Sequence, residues 1–422
     1  MIRSIVFLLF LLLASGYARA WEPVLYSDPN GPPKLLAVNK DVQQLLLFSN
    51  NSPLQKTATM PCSTGQVRGS KLREGDLKTP EGIYFIENFL DQGLDFERYG
   101  NLAYTLNFPN PMDRLAGKTG HGIWIHGRGH RIASFETKGC IALNLEDIRE
   151  VGDEVRLGRT PVVIGRDIQW ESSPSEDRSK ISARLIRRTR EWAEAWAAKK
   201  SVFFDMYSAE DFSSSQGRDF AAFRNRKEAL FRQYSWIDVW LHEPRVIRGP
   251  GYWVSYFGQV FNAPGFYSAG IKRLYWKEDD QGRFRIAGSE WRGLERQKLK
   301  DLYLAKRNEE LTAFIRKWKE AWEEADLESY RRFYLRDVVQ DGRNGLEAVS
   351  RHKSELWESG REPEEIQMTE LKLSMCPDGF CASFIQDYRD KEGYADKGIK
   401  TLVIVPGSSG WRIAREEWRG MN

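Results

Sequence analysis

The chain has 422 residues, enough for two to four domains that each bury a core of their own. Its formal net charge of +4 excludes the strongly basic balance that is typical of nucleic-acid-binding proteins. Four cysteines are few, so disulfides are not the main source of stability. We therefore expect a multidomain globular protein without a nucleic-acid partner.

The first twenty residues have the pattern of a secretory signal peptide. Arg3 gives a basic start, an apolar run covers residues 5–14, and Ala18-Arg19-Ala20 forms a small-x-small cleavage site. An uncleaved membrane anchor is the alternative, but the run is shorter than the ~20 residues that a spanning helix needs. No later stretch has the length of a membrane span. Residues 1–20 are therefore predicted to be removed, and the mature chain to begin near Trp21 and act in the periplasm or outside the cell.

Residues 34–166 contain short β-type runs separated by turns. The runs are residues 34–38, 44–48, 83–87, 123–126 and 161–165. They predict a mostly β domain. The polar stretch Glu171–Lys180 contains serine and proline, so residues 167–182 are predicted to be a linker.

The rest of the chain repeats itself. Trp192 and Trp196 recur as Trp318 and Trp322 at an offset of 126, and the segment 284–293 (FRIAGSEWRG) recurs as 411–420 (WRIAREEWRG) at an offset of 127. A nearly constant offset indicates two tandem copies of one domain, at residues 183–296 and 308–422.

Each copy is predicted to be an α+β cone. A long amphipathic helix comes first, a second helical patch follows (220–231 or 346–357), and long alternating strands end the copy. A helix that packs across the concave face of a curved antiparallel sheet satisfies this order. The order resembles the nuclear transport factor 2-like (NTF2-like) fold. The repeated tryptophans fit a core better than a binding site, so both copies are predicted to be recognition or docking modules.

Two cysteines of the second copy lie five residues apart. Cys376 and Cys381 enclose Pro377-Asp378-Gly379-Phe380, a turn sequence. In an oxidising compartment this spacing favours a local hairpin disulfide between them.

Residues with the potential for covalent catalysis lie in the first block. A hydrophobic strand ends at His126-Gly127, and Thr137-Lys138-Gly139-Cys140 follows. A nearby imidazole lowers the pKa of a thiol and can return the proton to a leaving amine, and backbone N–H groups around Gly139 and Cys140 can stabilise an oxyanion. Alone, this signal is weak, because free cysteine is most often a buried structural residue.

The surrounding pattern resembles the YkuD-type L,D-transpeptidase family. His126-Gly127 and Thr137–Cys140 match its His-Gly and Ser/Thr-x-Gly-Cys signatures, and residues 75–84 (GDLKTPEGIY) match its G-D-x-x-T-P-x-G-x-Y stretch. The likeness covers residues 34–166 and predicts a YkuD-like β-sandwich. It implies that Cys140 is the nucleophile and His126 the general base and acid, with Gly139 in the oxyanion hole and Gly127 and Thr137 lining the substrate site.

Two positions depart from the family pattern. Most members have a second histidine where this chain has Lys138, and an arginine two residues after the cysteine where it has Ala142. Either Arg128 or Arg131 is expected to replace that arginine as the grip on a substrate carboxylate, or the pocket binds a different ligand. Such departures suit the subgroup that resembles cell-shape L,D-carboxypeptidases, in which an NTF2-like domain follows the catalytic domain.

The resemblance implies an enzyme of bacterial cell-wall biogenesis that acts on peptidoglycan stem peptides. Cys140 would form a thioester with the third stem residue and release D-alanine. Attack by an amine makes the enzyme an L,D-transpeptidase, which the family favours, and attack by water makes it an L,D-carboxypeptidase. A degenerate wall-binding scaffold is the third alternative.

No cofactor is expected. Metal binding by His121, His126 and His130 is disfavoured, because no matched carboxylate spacing accompanies them. His121 and His130 are interpreted as loop or supporting residues, and Cys62 as buried filler. The candidate partners are stem peptides and, through the repeats, another cell-wall protein.

Overall fold

The computed structural model describes residues 20–51, 53–174, 176–214, 217, 219–293 and 297–421. The predicted signal peptide lies outside the described residues except for Ala20. Among the described residues, no helix is long and apolar enough to cross a membrane.

The first block is mostly β, as predicted. Its strands are β1 (Val24–Ser27), β2 (Lys34–Asn39), β3 (Gln44–Asn50), β4 (Leu54–Pro61), β5 (Gly82–Leu90), β6 (Ala103–Leu106), β7 (Trp124–His126), β8 (Ile141–Ala142), β9 (Pro161–Gly165) and β10 (Gln169–Pro174). Its helices are α1 (Phe96–Tyr99), α2 (Pro111–Leu115) and α3 (Leu145–Glu154). Eight strands form one sheet in the order β4-β3-β2-β9-β5-β6-β7-β8, and β1 pairs with β10 in parallel.

Strand β5 joins the two halves of the eight-stranded sheet. Its first residues pair with β9 and its last residues pair with β6, so the sheet bends along β5. Side chains of both halves and of α3 meet in one core, which includes Tyr84, Ile125, Ile141 and Ile148. This bend brings β7 and β8, which hold the candidate site, over the core.

The stretch predicted as a linker is largely structured. Residues 167–182 contain β10 and the first turns of helix α4 (Glu176–Ala197). The start of α4 is exposed and charged, with Lys180 2.7 Å from Glu176 one turn earlier. Acidic residues in a first turn and ion pairs at this spacing stabilise a helix start without burying it. The same composition therefore fits both a linker and a solvent-facing helix end.

The first repeated copy is an α+β unit with a five-stranded sheet. Its further elements are α5 (Val202–Asp205), β11 (Ser213–Ser214), α6 (Phe220–Gln233), β12 (Asp238–Gly249), β13 (Tyr252–Ala263), β14 (Phe266–Glu278) and β15 (Phe284–Gly293). The sheet order is β11-β15-β14-β13-β12. Trp192 and Trp196 of α4 are buried against Phe257 and Phe261 of β13, which confirms the α+β cone.

The second copy has the same plan. Its elements are α7 (Gln297–Glu323), α8 (Leu327–Arg331), β16 (Tyr334–Gln340), β17 (Arg343–Asn344), α9 (Leu346–Glu358), β18 (Pro363–Cys376), β19 (Gly379–Asp390), β20 (Ala395–Gly407) and β21 (Gly410–Gly420). The sheet order is β17-β16-β21-β20-β19-β18. Helix α7 includes residues ahead of the predicted start at 308. Cys376 and Cys381, predicted as a pair, are joined by a disulfide.

The outer face of the first copy's sheet covers the catalytic block. All twelve residues of β13 are buried: its inner face packs on α4, Tyr252 and Tyr256 pack against Ile83 and Phe85 of β5, and Val260 packs against α7 of the second copy. Arg273 of β14 lies in this interface, 2.6 Å from Glu87 and 3.2 Å from Glu290. The two blocks therefore share one core and a buried ion-pair network.

Candidate active site

His126 ends β7, where the chain makes a tight turn. Its imidazole is buried, packs edge-on against Tyr99, and its Nδ1 donates to the carbonyl oxygen of Gly127 at 2.6 Å. A carbonyl only accepts, so the proton of the neutral ring lies on Nδ1 and Nε2 is left as the basic nitrogen. The ring is thus held in the tautomer that a general base requires.

Cys140 follows Gly139, at a position that no other residue type can occupy without strain. Gly139 has φ +130°, and a Cβ there would lie 2.8 Å from the carbonyl oxygen of Lys78. Thr137 Oγ1 accepts from the N–H of Gly139 at 3.1 Å and donates to the carbonyl of Cys140 at 2.8 Å. The loop is therefore fixed from both sides of the thiol.

The G-D-x-x-T-P-x-G stretch supports this loop from behind. Thr79 is fully buried; its Oγ1 donates to the carbonyl of Gly139 at 3.0 Å and accepts from the N–H of Gly65 at 2.9 Å. A Cβ on Gly65 would lie 2.3 Å from the carbonyl of Leu77, so the two segments touch backbone to backbone. Motifs sixty residues apart in sequence thus meet at the nucleophile loop.

Strand register places Cys140 and His126 on one face of the sheet. Ile125 pairs with Ile141 and His126 with Ala142, and both isoleucines point into the core. Side chains alternate along a strand, so His126 and Cys140 both face away from that core. Among the hydrogen bonds of the described residues, the thiol reaches the carbonyl of Gly122 at 3.5 Å and not the imidazole. Catalytic hydrogen bonds often tighten only when substrate is bound.

Burial disfavours the charged form of both groups, contrary to the expected low thiol pKa. Burial lowers the pKa of His126 to about 4, and the nearby Arg128 charge adds to this effect. Burial also raises the pKa of the Cys140 thiol, although a backbone hydrogen bond from Trp124 and the charges of Arg128 and Lys71 oppose the rise. Desolvation disfavours the charged form of each group. The geometry therefore favours proton transfer during attack over a preformed thiolate–imidazolium pair.

Of the two arginines proposed as the substrate grip, only Arg128 lies at the site. It is half-buried, its Nη2 is 3.6 Å from Glu136, and its Nε has no hydrogen-bond partner among the described residues. Arg131 is exposed. Ala142, at the position of the family arginine, is fully buried and hydrogen-bonded through its backbone to Ser63. The burial of Ala142 leaves no room for a long side chain at that position, whereas the charge of Arg128 acts on the Cys140 thiol.

Three other predicted roles change on inspection of the contacts. The N–H of Gly139 is engaged by Thr137, so it is not a free oxyanion donor. Gly127 is buried, and a Cβ there would lie 3.1 Å from Leu145, so the glycine serves helix packing. Thr137 is buried and shapes the loop; it does not present its hydroxyl to solvent.

Lys71 is a site residue that the sequence reasoning missed. Its side chain is buried, its Nζ is 2.8 Å from Asp76, and its charge lowers the pKa of Cys140. Asp76 belongs to the motif stretch, and a carboxylate there needs a buried cation. The motif aspartate could therefore have indicated that a buried cation lies nearby. The sequence did not identify Lys71 as that cation, because its loop has no periodic pattern.

The remaining candidates lie apart from one another. His121 is exposed and 3.7 Å from Glu74, and His130 is exposed and contacts its own loop. Within the described ranges, no group of three or more His, Cys, Asp or Glu residues could hold a metal ion. Cys62 is buried in the sheet core, where burial raises the pKa of its thiol.

Comparison with known families matches both parts of the chain. Residues 33–164 match the L,D-transpeptidase catalytic domain YkuD, and residues 184–289 and 310–417 each match the Cds6 C-terminal NTF2-like domain. The putative L,D-transpeptidase YafK of Escherichia coli K12 is 36% identical over 83 residues, which are 20% of this chain and 30% of that protein. The match thus spans less than a third of the curated relative.

Solved structures are similar over more of the chain. Bd1075 of Bdellovibrio bacteriovorus is 26% identical with a TM-score of 0.50, covering 65% of this chain and 97% of its own. The helical cell shape determining protein Pgp2 of Campylobacter jejuni is 25% identical with a TM-score of 0.48, covering 63% and 92%. The two copies together match the Cds6 model over half of the chain. The chain therefore belongs to the Cds6 C-terminal NTF2-like family and carries a YkuD L,D-transpeptidase catalytic domain ahead of two NTF2-like domains.

Proposed function

We propose that the protein is a periplasmic cysteine L,D-transpeptidase that acts on peptidoglycan stem peptides. The observation that carries the proposal is the strand register, which puts the half-buried Cys140 on the same face as His126, whose imidazole is held as the Nδ1–H tautomer. This arrangement has the parts of an acyl transfer: a nucleophile, a base with a free Nε2, and a cation close by.

Cys140 Sγ attacks the carbonyl carbon of the third stem residue while its proton passes to His126 Nε2. The N–H of Cys140, beside the left-handed Gly139, supports the oxyanion in place of the engaged N–H of Gly139. The C–N bond then breaks, His126 returns the proton to the amine of D-alanine, and a thioester remains. An amine of a second stem attacks the thioester, gives its proton to His126 and frees the thiol.

Arg128 is proposed to bind the terminal carboxylate of the stem. Its partnerless Nε and its loose 3.6 Å contact with Glu136 leave the guanidinium able to accept a planar anion. In steady-state assays, Arg128→Gln is expected to raise KM at least tenfold, whereas Arg131→Gln leaves it unchanged. If Arg131→Gln raised KM instead, Arg131 and not Arg128 would be the residue that binds the substrate carboxylate.

An L,D-carboxypeptidase is the second candidate, because Lys138 and Ala142 depart from the transpeptidase pattern. Incubation with disaccharide tetrapeptides followed by mass spectrometry separates the two reactions. Cross-linked dimers identify a transpeptidase, and tripeptide alone identifies a carboxypeptidase. Cys140→Ala is the control for either product.

Covalent labelling tests whether the site is functional at all. Cys62 is buried and Cys376 and Cys381 are paired, so iodoacetamide or a carbapenem should add one adduct to the folded chain, and Cys140→Ala should abolish it. A folded chain without an adduct would identify the protein as a wall-binding scaffold.

A further inference from the structure

The first NTF2-like domain contains a cavity at the mouth of its cone. Its volume is about 410 Å³, and its aromatic walls include Trp196, Phe261, Phe266 and Trp291. Helix α6 closes one side with Lys227, and β14 contributes Lys272 from the other. The exposed Arg226 also lines the cavity, which therefore combines an apolar wall with two half-buried lysines and a third cation at its surface, away from Cys140.

The two lysines have no counter-ion within the described part of the chain. Lys227 lies 3.5 Å from the centre of the Trp196 ring, and neither ammonium forms an ion pair with a described carboxylate. Glu290 of β15 is held by Arg273 and Tyr275 and forms no ion pair with Lys272. Burial lowers the pKa of Lys272 to about 8 although the charge of Glu290 opposes this, and burial together with the charges of Lys272 and Arg226 lowers the pKa of Lys227. Half-buried cations without a partner favour an anion.

Strand pairing identifies Ser289 as the position at which the two copies differ in the charge of the cavity wall. In the first copy, Lys272 of β14 stands opposite Trp291 of β15, and two residues further Leu274 stands opposite Ser289. Ser289 is buried, on the cavity wall, and neutral.

The second copy has a carboxylate at that position. Lys400 of β20 stands opposite Trp418 of β21, and two residues further Leu402 stands opposite Glu416. The registers of the two copies are identical here, so Glu416 is the structural counterpart of the serine of the first copy.

In the second copy, the Glu416 carboxylate acts as the counter-ion of the lysines at the equivalent place. Its Oε1 is 2.6 Å from Lys400, and its Oε2 accepts from Tyr334 at 2.6 Å and from Gln340 at 2.9 Å. Burial opposes ionisation, but Lys400 and Lys353 outweigh it and hold the pKa of Glu416 below its ordinary value. Lys353 comes from α9, as Lys227 comes from α6 in the first copy. A carboxylate thus satisfies this lysine pair when the chain itself supplies one.

We propose that the first NTF2-like domain binds a carboxylate ligand with an apolar body between Lys227 and Lys272, and that Glu416 keeps the second copy from doing so. The ligand's carboxylate takes the place that the Glu416 side chain fills in the second copy, and its apolar part contacts the aromatic wall. The buried Nε1 of Trp196, which has no partner in the described residues, is a further donor next to this place. Binding here involves no residue of the Cys140 site, so the inference is independent of the proposed reaction.

Isothermal titration calorimetry of the mature chain with 4-phenylbutyrate tests the site. We expect one site per chain and at least tenfold weaker binding of the neutral analogue 4-phenylbutanamide. Absence of binding, two sites per chain, or equal binding of the amide would each overturn the proposal. Inorganic phosphate that competes as well as the carboxylate would also overturn it, by showing a general anion site.

Three variants locate the site. Lys272→Met removes one cation and Ser289→Glu supplies an internal counter-ion, so each should weaken binding at least tenfold. Lys353→Met removes the second copy's counterpart of Lys227 and should leave binding unaltered. A melting temperature of Ser289→Glu at or above that of the unmodified chain separates neutralisation of the pocket from damage to the fold. Unchanged binding by Ser289→Glu, or lost binding by Lys353→Met, would refute the assignment.

Discussion

Replacement of Thr79 by valine tests how the motif stretch holds the nucleophile loop. The hydroxyl links the N–H of Gly65 to the carbonyl of Gly139, and the side chain is fully buried. Valine has nearly the same shape, so the change removes two hydrogen bonds without opening a cavity. Each backbone group left unpaired costs about 1–3 kcal/mol, which gives roughly 2–6 kcal/mol for the pair.

Cys62 provides a probe confined to this domain. Its thiol is 3% exposed in the sheet core, so alkylation requires local or global opening. In a Cys140→Ser background with the Cys376–Cys381 disulfide intact, Cys62 is the reactive thiol of the described chain. Because 1.4 kcal/mol corresponds to a factor of ten, Thr79→Val should speed its labelling by about 30-fold or more.

Thr79→Ser is the matched control. It keeps the hydroxyl and loses one buried methyl group, worth about 0.8 kcal/mol or about a fourfold change in labelling rate. If the valine variant labelled no faster than the serine variant, the two hydrogen bonds would not be what stabilises the loop, and the explanation of the motif would be wrong.

Two further predictions concern buried charge. His126 has a pKa near 4 in the folded chain and about 6.5 unfolded, so the unfolded chain binds the extra proton and stability falls by up to about 3 kcal/mol as pH drops from 6.5 to 4. Urea unfolding at both ends of this range checks it, and an equal slope in His126→Asn would contradict it. Arg273→Met leaves the buried Glu290 without its cation, whereas Glu87 keeps Arg292, and it should cost about 3–5 kcal/mol in thermal or urea unfolding; Arg283→Met, at the surface, should cost less than about 1 kcal/mol. Similar losses in the two variants would show that the interface network adds no stability.

The periodic parts of the fold were predictable from the sequence. Strand β9 has the predicted bounds, and the repeated Trp192 and Trp318 are core residues of matched helices, because burial imposes a pattern on each element. Strand β10 and the start of α4 were not predicted, since solvent-facing polar residues carry no such pattern.

In the candidate site, too, some residues were predictable from the sequence and others were not. Cys140 and His126 follow from local motifs, whereas Lys71 depends on where a loop returns in space. The ionisation of the pair was also misjudged. A sequence shows that an imidazole and a thiol are present, but the extent of their desolvation is a property of the packed fold.

The interface between the catalytic block and the first copy makes the two repeats structurally unequal. Tyr256 and Arg273, which face the catalytic sheet, have Ser383 and Thr401 as their counterparts by strand register. A second catalytic block would find no equivalent surface on the later copy. The first copy therefore packs against its own helix and against the catalytic block, whereas the second copy lacks the side chains for the second contact. Truncation after residue 293 would remove Tyr303 and Arg307, which bind the buried Asp238, and would uncover Val260 and Ala269, so the first copy depends on contacts with both of its neighbours.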